Sequence, residues 1–154
     1  MLKYANYDIV FQEFPDEVTL AINLSCCPNR CPGCHSRELL NDIGEALTEE
    51  RLMALLEAYV GNITCVALMG GDGDPKGVVR LLRTVRKKYP KLRTGWYSGR
   101  ERMPSEEELF AFDYVKLGAW VEALGPLSSP TTNQRLYRID NGQACDITSR
   151  MQRR

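Results

Sequence analysis

The residues best suited to chemistry lie in the stretch CCPNRCPGCHS, which begins at residue 26. Cys27, Cys31 and Cys34 have the spacing C-x3-C-x2-C, with Cys26 directly before them and His35 directly after. Thiolates separated by two or three residues can hold a metal ion or an iron–sulfur cluster within one loop. The stretch therefore predicts a metal centre, and the nature of that centre decides most of what the sequence indicates about function.

Zinc, haem and a redox pair each leave part of this pattern unexplained. A closed zinc site needs four ligands, and the adjacent Cys34 and His35 are poorly placed to reach the same ion. Cys31, Cys34 and His35 spell the haem-attachment pattern C-x-x-C-H, but that attachment normally accompanies export. A thioredoxin-like pair of Cys31 and Cys34 leaves Cys27 without a role.

A [4Fe–4S] cluster would use all three of Cys27, Cys31 and Cys34. Three thiolates leave one iron of the cluster without a protein ligand, so that iron is open to a small molecule. Because side chains alternate along the preceding strand, we expect Cys26 to be a buried neighbour that points away from the cluster. Zinc stays the alternative, as the centre of a non-catalytic interaction module.

The composition is that of an ordinary globular domain. Of the 154 residues, 44% are hydrophobic and 26% are charged, and 20 basic residues balance 20 acidic ones. This balance argues against direct nucleic-acid binding over a wide surface. The N-terminal residues lack the apolar core of a secretory signal, and no apolar run reaches the roughly 18 residues that span a bilayer. We therefore expect a cytoplasmic protein with reduced thiols and no membrane partner.

The hydrophobic pattern alternates between strand-like and helix-like segments. Strands are predicted at residues 18–25, 63–69, 92–98, 113–121 and 134–139. Helices are predicted at residues 48–60, capped by Thr48, at residues 76–88, and in a short segment opened by a capping box from Ser105 to Glu108. Strands that alternate with helices are typical of βαβ units and a parallel sheet.

Three unusual stretches follow three successive predicted strands. The cysteines follow the first, GGDGDP follows the second, and Tyr97, Ser98 and Gly99 follow the third. The carboxyl ends of parallel strands meet at one rim of a sheet, where ligands bind in such folds. The GGDGDP stretch also reads as a plain turn in which Asp74 precedes Pro75 at the start of the next helix.

Together these stretches resemble a known family. The motif C-x3-C-x2-C after a first strand, with a Gly-Gly-acid stretch after the second, is the pattern of the radical S-adenosylmethionine enzymes. The text NLSCCPNRCPGCHS, MGGDGDP, WYSG and FDYVKLGAWVEALGPLSSPTTNQRLYRI is similar to that of the anaerobic ribonucleoside-triphosphate reductase activating enzymes, which are small glycyl-radical-enzyme activases. The resemblance extends from about residue 15 to about residue 140.

The resemblance implies a cofactor site built on these residues. Cys27, Cys31 and Cys34 would ligate a [4Fe–4S] cluster, whose fourth iron would bind the amino and carboxylate groups of S-adenosylmethionine. The glycines suit a close backbone approach, and a carboxylate suits an ammonium. The residues expected to receive or line the cofactor are Gly70, Gly71, Asp72, Tyr97, Ser98 and Gly99.

The resemblance also implies a reaction and two partners. The reduced cluster would pass one electron to the sulfonium, which yields methionine and a 5′-deoxyadenosyl radical. That radical would take a hydrogen atom from a backbone glycine of an anaerobic ribonucleoside-triphosphate reductase. The electron would come from a donor such as flavodoxin or ferredoxin. The alternative within the superfamily is another small enzyme that acts on a small molecule or a peptide.

The expected architecture is a single domain over residues 1–154, with a polar C-terminal tail from about residue 141. Because 154 residues are fewer than the roughly 250 of an eight-unit barrel, we expect a partial, open (βα) barrel. The fold class is therefore α/β with a mostly parallel sheet. An open barrel would expose the cluster and the cofactor to a large partner.

Three positions differ from the pattern of the wider family. Gly33 stands where the superfamily often has an aromatic residue, although the reductase activases commonly have glycine there. Cys26 stands where a small residue, usually glycine, is expected. GGDGDP has two residues more than the expected GGDP, so that Asp72 or Asp74 would face the ammonium of the cofactor, and we expect Asp72.

Overall fold

The computed structural model describes residues 2–29 and 37–152. These residues form a single sheet of eight strands with helices packed against it. The strands are β1 Lys3–Val10, β2 Thr19–Leu24, β3 Glu45–Ala46, β4 Cys65–Met69, β5 Arg93–Tyr97, β6 Tyr114–Leu117, β7 Arg135–Asp140 and β8 Gln143–Asp146. Their spatial order is β3-β1-β2-β4-β5-β6-β7-β8.

The centre of the sheet is parallel and both flanks are antiparallel. The strands β2, β4, β5 and β6 are neighbours and run parallel to one another. The other four of the seven pairings in the described chain are antiparallel, and the two edge strands do not meet. The α/β class is thus confirmed, while the expected mostly parallel sheet is wrong. The flanking strands connect to their neighbours without a crossover helix, and strands connected in this way pair antiparallel.

Two α-helices supply the crossovers between the first three parallel strands. They are α1 Glu49–Tyr59, between β2 and β4, and α2 Pro75–Lys88, between β4 and β5. Short 3-10 helices lie at Arg37–Leu40, Val60–Asn62, Glu108–Ala111 and Thr148–Gln152. Both α-helices agree with the sequence-based prediction to within one residue at each end.

Local capping explains where these helices begin. The Thr48 side chain accepts a hydrogen bond from the backbone N–H of Arg51, as predicted for the start of α1. Ser105 and Glu108 form the predicted reciprocal capping box, with bonds of 3.0 and 3.2 Å. Only a short 3-10 helix follows this box, because Phe112 returns to an extended conformation.

The core lies on both faces of the sheet. On the helix side, α1 and α2 pack against β4, β5 and β6. The buried residues of this cluster include Leu52, Leu56, Val78 and Leu82 of the helices and Val66, Leu68 and Val115 of the strands. On the opposite side, Phe14 covers Gly95 and stacks on Tyr114, with ring centres 4.7 Å apart. Cys65 is fully buried in this second cluster, and burial raises the pKa of its thiol. Cys65 is thus a core residue, as expected.

The polar segment from residue 141 onwards is folded against the sheet up to residue 152. Asn141 and Gly142 both have positive φ, of 53° and 76°, and they connect β7 to β8 as a tight hairpin turn. The Thr148 side chain then accepts a hydrogen bond of 2.8 Å from the backbone N–H of Leu136. Within the described residues, no helix is both long enough and apolar enough to cross a membrane.

The packing of α1 predicts a large stability loss for Leu56→Ala. Leu56 is fully buried, so removal of its side chain should lower the free energy of unfolding by about 2 to 5 kcal/mol. Glu57→Ala is the matched control, because Glu57 is exposed on the same helix and should change stability by less than about 0.5 kcal/mol. Urea denaturation followed by circular dichroism measures both. Equal effects in the two variants would contradict the described packing of α1.

Candidate functional site at the carboxyl ends of the parallel strands

The described parts of the three unusual stretches meet at one rim of the sheet. The strands β2, β4 and β5 are aligned so that Asn23 lies beside Met69, and Met69 lies beside Tyr97. The pairing continues past the strand end, where the backbone N–H of Gly70 donates to the carbonyl of Tyr97 at 2.8 Å. The loops that follow these strands therefore begin at the same level.

The side chain of Asp72 connects all three loops. Its Oδ1 accepts a hydrogen bond from the Ser98 hydroxyl at 2.6 Å. Its Oδ2 accepts from the backbone N–H of Gly99 at 2.8 Å and from the Asn29 amide at 2.5 Å. Asp72 itself is only 2% exposed. A buried carboxylate needs such partners, and here each of them comes from a neighbouring loop at the rim.

The Asn29 amide continues this network to the first cysteine of the motif. Its Nδ2 lies 3.6 Å from the sulfur of Cys27, to which it donates. Cys27 is half-buried, and its backbone N–H donates to the carbonyl of Leu39 at 2.8 Å. The other two predicted ligands, Cys31 and Cys34, lie outside the described residues.

The first two residues of the GGD stretch use conformations that favour glycine. Gly70 and Gly71 have φ values of +105° and +91°. A Cβ atom on Gly71 would lie 2.8 Å from methyl groups of both Leu24 and Val78. The carbonyl of Gly70 accepts a hydrogen bond of 2.6 Å from the Trp96 indole. The turn is therefore held both by its packing against Leu24 and Val78 and by the hydrogen bond from Trp96.

The second acidic residue of the stretch has a different local role. The Asp74 side chain accepts a hydrogen bond of 3.1 Å from the backbone N–H of Gly77 and thereby caps α2. Pro75 is the first residue of the helix, where its missing N–H costs nothing. The predicted strand-to-helix turn is therefore confirmed at these two residues.

Tyr97 faces the opposite side of the sheet from Ser98. Its ring packs edge-on against Phe14, and its hydroxyl donates to the carbonyl of Glu13 at 2.6 Å. Burial raises the pKa of the Tyr97 phenol above its usual range. The sequence analysis predicted three cofactor-lining residues at the end of this strand. Of these, Ser98 and Gly99 join the Asp72 network, while Tyr97 does not.

The strand β5 separates two cavities. On the helix side, a cavity of about 350 Å³ is bordered by Asp72, Trp96 and Ser98. On the other side, a cavity of about 920 Å³ is bordered by Tyr97 and Lys116 together with residues of the N- and C-terminal segments. Both volumes fall in the range of small-molecule sites.

Lys116 places a buried cation beside the larger cavity. Its Nζ donates to the carbonyls of Ser98 and Gly118, both at 3.0 Å, and lies 5.2 Å from the centre of the Tyr97 ring. Lys116 is 7% exposed. Carbonyl oxygens and an aromatic ring stabilise a buried ammonium group, and the positive charge of that group would attract an anionic group of a ligand.

The structure corrects the expectation for Cys26. This residue is exposed, and its thiol lies 3.5 Å from a carboxylate oxygen of Asp42. Its φ of +59° shows that the strand has already ended, so the alternation of strand side chains no longer applies. The same left-handed backbone gives a physical reason for the glycine that the family pattern favours at this position.

Two residues of the site were missed by the sequence analysis. Asn29 stands in the loop between two cysteines, and nothing in its sequence context indicates its contact with Asp72. Lys116 did carry a signal, because it interrupts the apolar run of β6, YVKL, and all four residues of that strand are buried. A lysine inside a buried strand is uncommon and indicates a specific partner.

The described residues contain no group of three His, Cys, Asp or Glu side chains arranged to hold a metal ion. Cys31, Cys34 and His35, which the sequence analysis placed in or beside the metal centre, lie outside these residues. Comparison of the chain with protein-family models, with curated proteins and with solved structures found no match.

The geometry of the glycine turn predicts a sharp contrast between two substitutions. Gly71→Ala should lower the free energy of unfolding by about 2 to 4 kcal/mol, because it adds left-handed backbone strain to overpacking against Leu24 and Val78. Gly73→Ala is the control, since the nearest atom to its added Cβ would be the Cys26 carbonyl oxygen at 3.9 Å. Thermal and urea unfolding of both variants would refute this description if Gly73→Ala were the more damaging.

Proposed function

We propose that the chain is a radical S-adenosylmethionine activase, which generates a glycyl radical on an anaerobic ribonucleoside-triphosphate reductase. One observation carries the proposal. The residue that begins the C-x3-C-x2-C motif, Cys27, is joined through Asn29 and Asp72 to the loops after β4 and β5. A cysteine motif and a Gly-Gly-acid turn that share one rim are what this chemistry requires, and their hydrogen-bonded contact supports a common site.

The residues present suit the cluster and its co-substrate. Cys27, Cys31 and Cys34 would hold a [4Fe–4S] cluster, and the half-buried Cys27 sulfur already receives an N–H donor, as cluster sulfurs commonly do. Gly70 and Gly71 form a turn of positive φ at the rim, and the backbone of that turn would meet the methionyl end of S-adenosylmethionine.

The cavity beside Tyr97 and Lys116 supports a site that admits a partner. Its volume of about 920 Å³ lies within the range of small-molecule sites. The Tyr97 ring would offer an apolar wall beside the buried Lys116 ammonium. The glycine-bearing loop of the reductase would meet the co-substrate at this cavity.

The bound cluster and S-adenosylmethionine would supply the chemistry. Held by Cys27, Cys31 and Cys34, the cluster would pass one electron from an external donor to the sulfonium, so that a carbon–sulfur bond of S-adenosylmethionine would be cleaved and a hydrogen atom taken from the reductase glycine. The products would be methionine, 5′-deoxyadenosine and a glycyl radical on the partner. The chain itself positions the reactants, and no protein base is needed.

A partial barrel is the finer description of the fold that this proposal needs. The parallel strands β2, β4, β5 and β6, with α1 and α2 on one face, would represent the (βα) units of that barrel. The antiparallel strands at each flank would then be additions to it. The edges of the sheet do not meet, which is compatible with an open side toward a large partner.

The proposal predicts production of 5′-deoxyadenosine. Protein purified without oxygen, reconstituted with iron and sulfide and supplied with S-adenosylmethionine and dithionite should form this product, which chromatography detects. Cys27→Ala should reduce production to background because it removes a cluster ligand. Cys145→Ala is the matched control, since Cys145 is an exposed cysteine of β8 and should leave production unchanged.

The metal content separates the proposal from its rival. Iron with acid-labile sulfide and a brown colour supports the cluster, whereas colourless protein containing zinc would favour a non-catalytic interaction module. A full cluster without 5′-deoxyadenosine would exclude the activase and leave electron transfer or a structural role for the cluster.

The identity of the partner predicts a second, separate observation. Addition of the anaerobic ribonucleoside-triphosphate reductase to the reduced mixture should produce a glycyl-radical signal in electron paramagnetic resonance. Flavodoxin or ferredoxin should replace dithionite as the electron donor. If 5′-deoxyadenosine forms but the reductase never gains this signal, the chain is a different small radical enzyme.

A further inference from the structure

We infer that Asp72 is a positioning residue, whose carboxylate orients the Cys27 thiolate through the Asn29 amide. It is then not the group that meets the ammonium of S-adenosylmethionine. This inference rests on the proposed function, because the cluster held by Cys27 provides its clearest readout.

The first step is the occupancy of the Asp72 carboxylate. Three donors already point at its two oxygens, namely the Ser98 hydroxyl, the Gly99 N–H and the Asn29 amide. Asp72 is 2% exposed, so an incoming ammonium would find little of the carboxylate accessible. The carboxylate is therefore already used in holding the rim together.

The second step is the orientation of the Asn29 amide. Its nitrogen carries two hydrogens, and it lies 2.5 Å from Asp72 Oδ2 and 3.6 Å from Cys27 Sγ. The flipped amide would direct its oxygen at a carboxylate and a sulfur, both of which accept hydrogen bonds. Asp72 thus fixes which atom of Asn29 faces the thiolate.

The third step is the tightness of the packing around Asn29. A Cβ atom on Gly99 would lie 2.5 Å from the Asn29 nitrogen and 3.4 Å from Asp72 Oδ2. A side chain at position 99 would therefore separate Asn29 from the carboxylate. The glycine after Ser98 is explained by this contact without any role in binding a cofactor.

An N–H donor at a cluster sulfur changes the reduction potential of the cluster. The reduced cluster is more negative, so the donor stabilises the reduced form and raises the potential. Loss of the donor should shift the midpoint potential to more negative values. Removal of Asp72 should also release the amide, but it removes a negative charge as well, which by itself raises the potential.

The experiment is a redox titration of the reconstituted cluster, monitored by electron paramagnetic resonance. Asn29→Ala should shift the midpoint potential in the negative direction. The double variant with Asp72→Ala should shift it less negatively than the sum of the two single effects, because both changes break the same connection and that connection can be lost only once. Leu56→Ala is the control, since it removes core packing of α1 and no hydrogen bond of the Asp72 network, and it should leave the potential unchanged.

Asp72→Asn distinguishes positioning from cofactor binding. Its amide oxygen can still accept from Gly99 and Asn29, while its NH₂ group donates to the Ser98 hydroxyl. The midpoint potential should not move in the negative direction, because the connection is kept and only a negative charge is lost. Affinity for S-adenosylmethionine, measured by anaerobic calorimetry, should stay within about threefold, whereas loss of a charged partner of the ammonium would weaken it about tenfold or more.

The outcomes separate this inference from the proposed function. An unchanged potential in Asn29→Ala would overturn the positioning role, and S-adenosylmethionine binding weakened about tenfold in Asp72→Asn would show that Asp72 meets the ammonium. Either result leaves the activase intact. A wild-type protein that holds no [4Fe–4S] cluster would overturn both. If Asp72→Ala does not fold, Asn29→Ala decides the question, because Asn29 is half-buried in the loop and Asp72 keeps two of its donors.

Discussion

The buried carboxylate of Asp72 constrains the rim of the sheet more than any other single group in the described structure. An almost unexposed carboxylate is tolerated only when hydrogen bonds replace its lost hydration. Its three donors come from the loops after β2 and β5, so these loops have to close on the turn after β4. The position of Cys27 therefore depends on a residue that stands far from it in the sequence.

This closure is possible because the parallel strands are in register. Asn23, Met69, Tyr97 and Lys116 lie side by side across β2, β4, β5 and β6. The loops after these strands therefore begin at the same level along the edge of the sheet. The crossovers through α1 and α2 make this arrangement, since they return the chain to the start of the next parallel strand.

The sequence predicted the central strands and both α-helices because their signals are local. Hydrophobic periodicity and caps such as Thr48 and Asp74 act within a few residues. Of the flanking strands, β7 was predicted at residues 134–139, whereas β1 and β8 depend on distant pairing. The pattern of β1, KYANYDIV, mixes polar and apolar residues, and β8 is exposed throughout. The turn at Asn141 and Gly142 was nevertheless a readable hairpin signal. At the site, the residue types were evident, but the contact between Asn29 and Asp72 spans 43 positions and follows only from the fold.

Because side chains alternate along β5, the two faces of this strand have different roles at the rim. Trp96 and Ser98 point to the helix side, where they hold Gly70 and Asp72. Tyr97 points to the other side, where its ring meets the Lys116 ammonium at the larger cavity. The groups that fix the loops thus lie on the opposite face of β5 from the larger cavity. A ligand could enter beside Tyr97 without competing for the hydrogen bonds that connect Asp72 to Cys27.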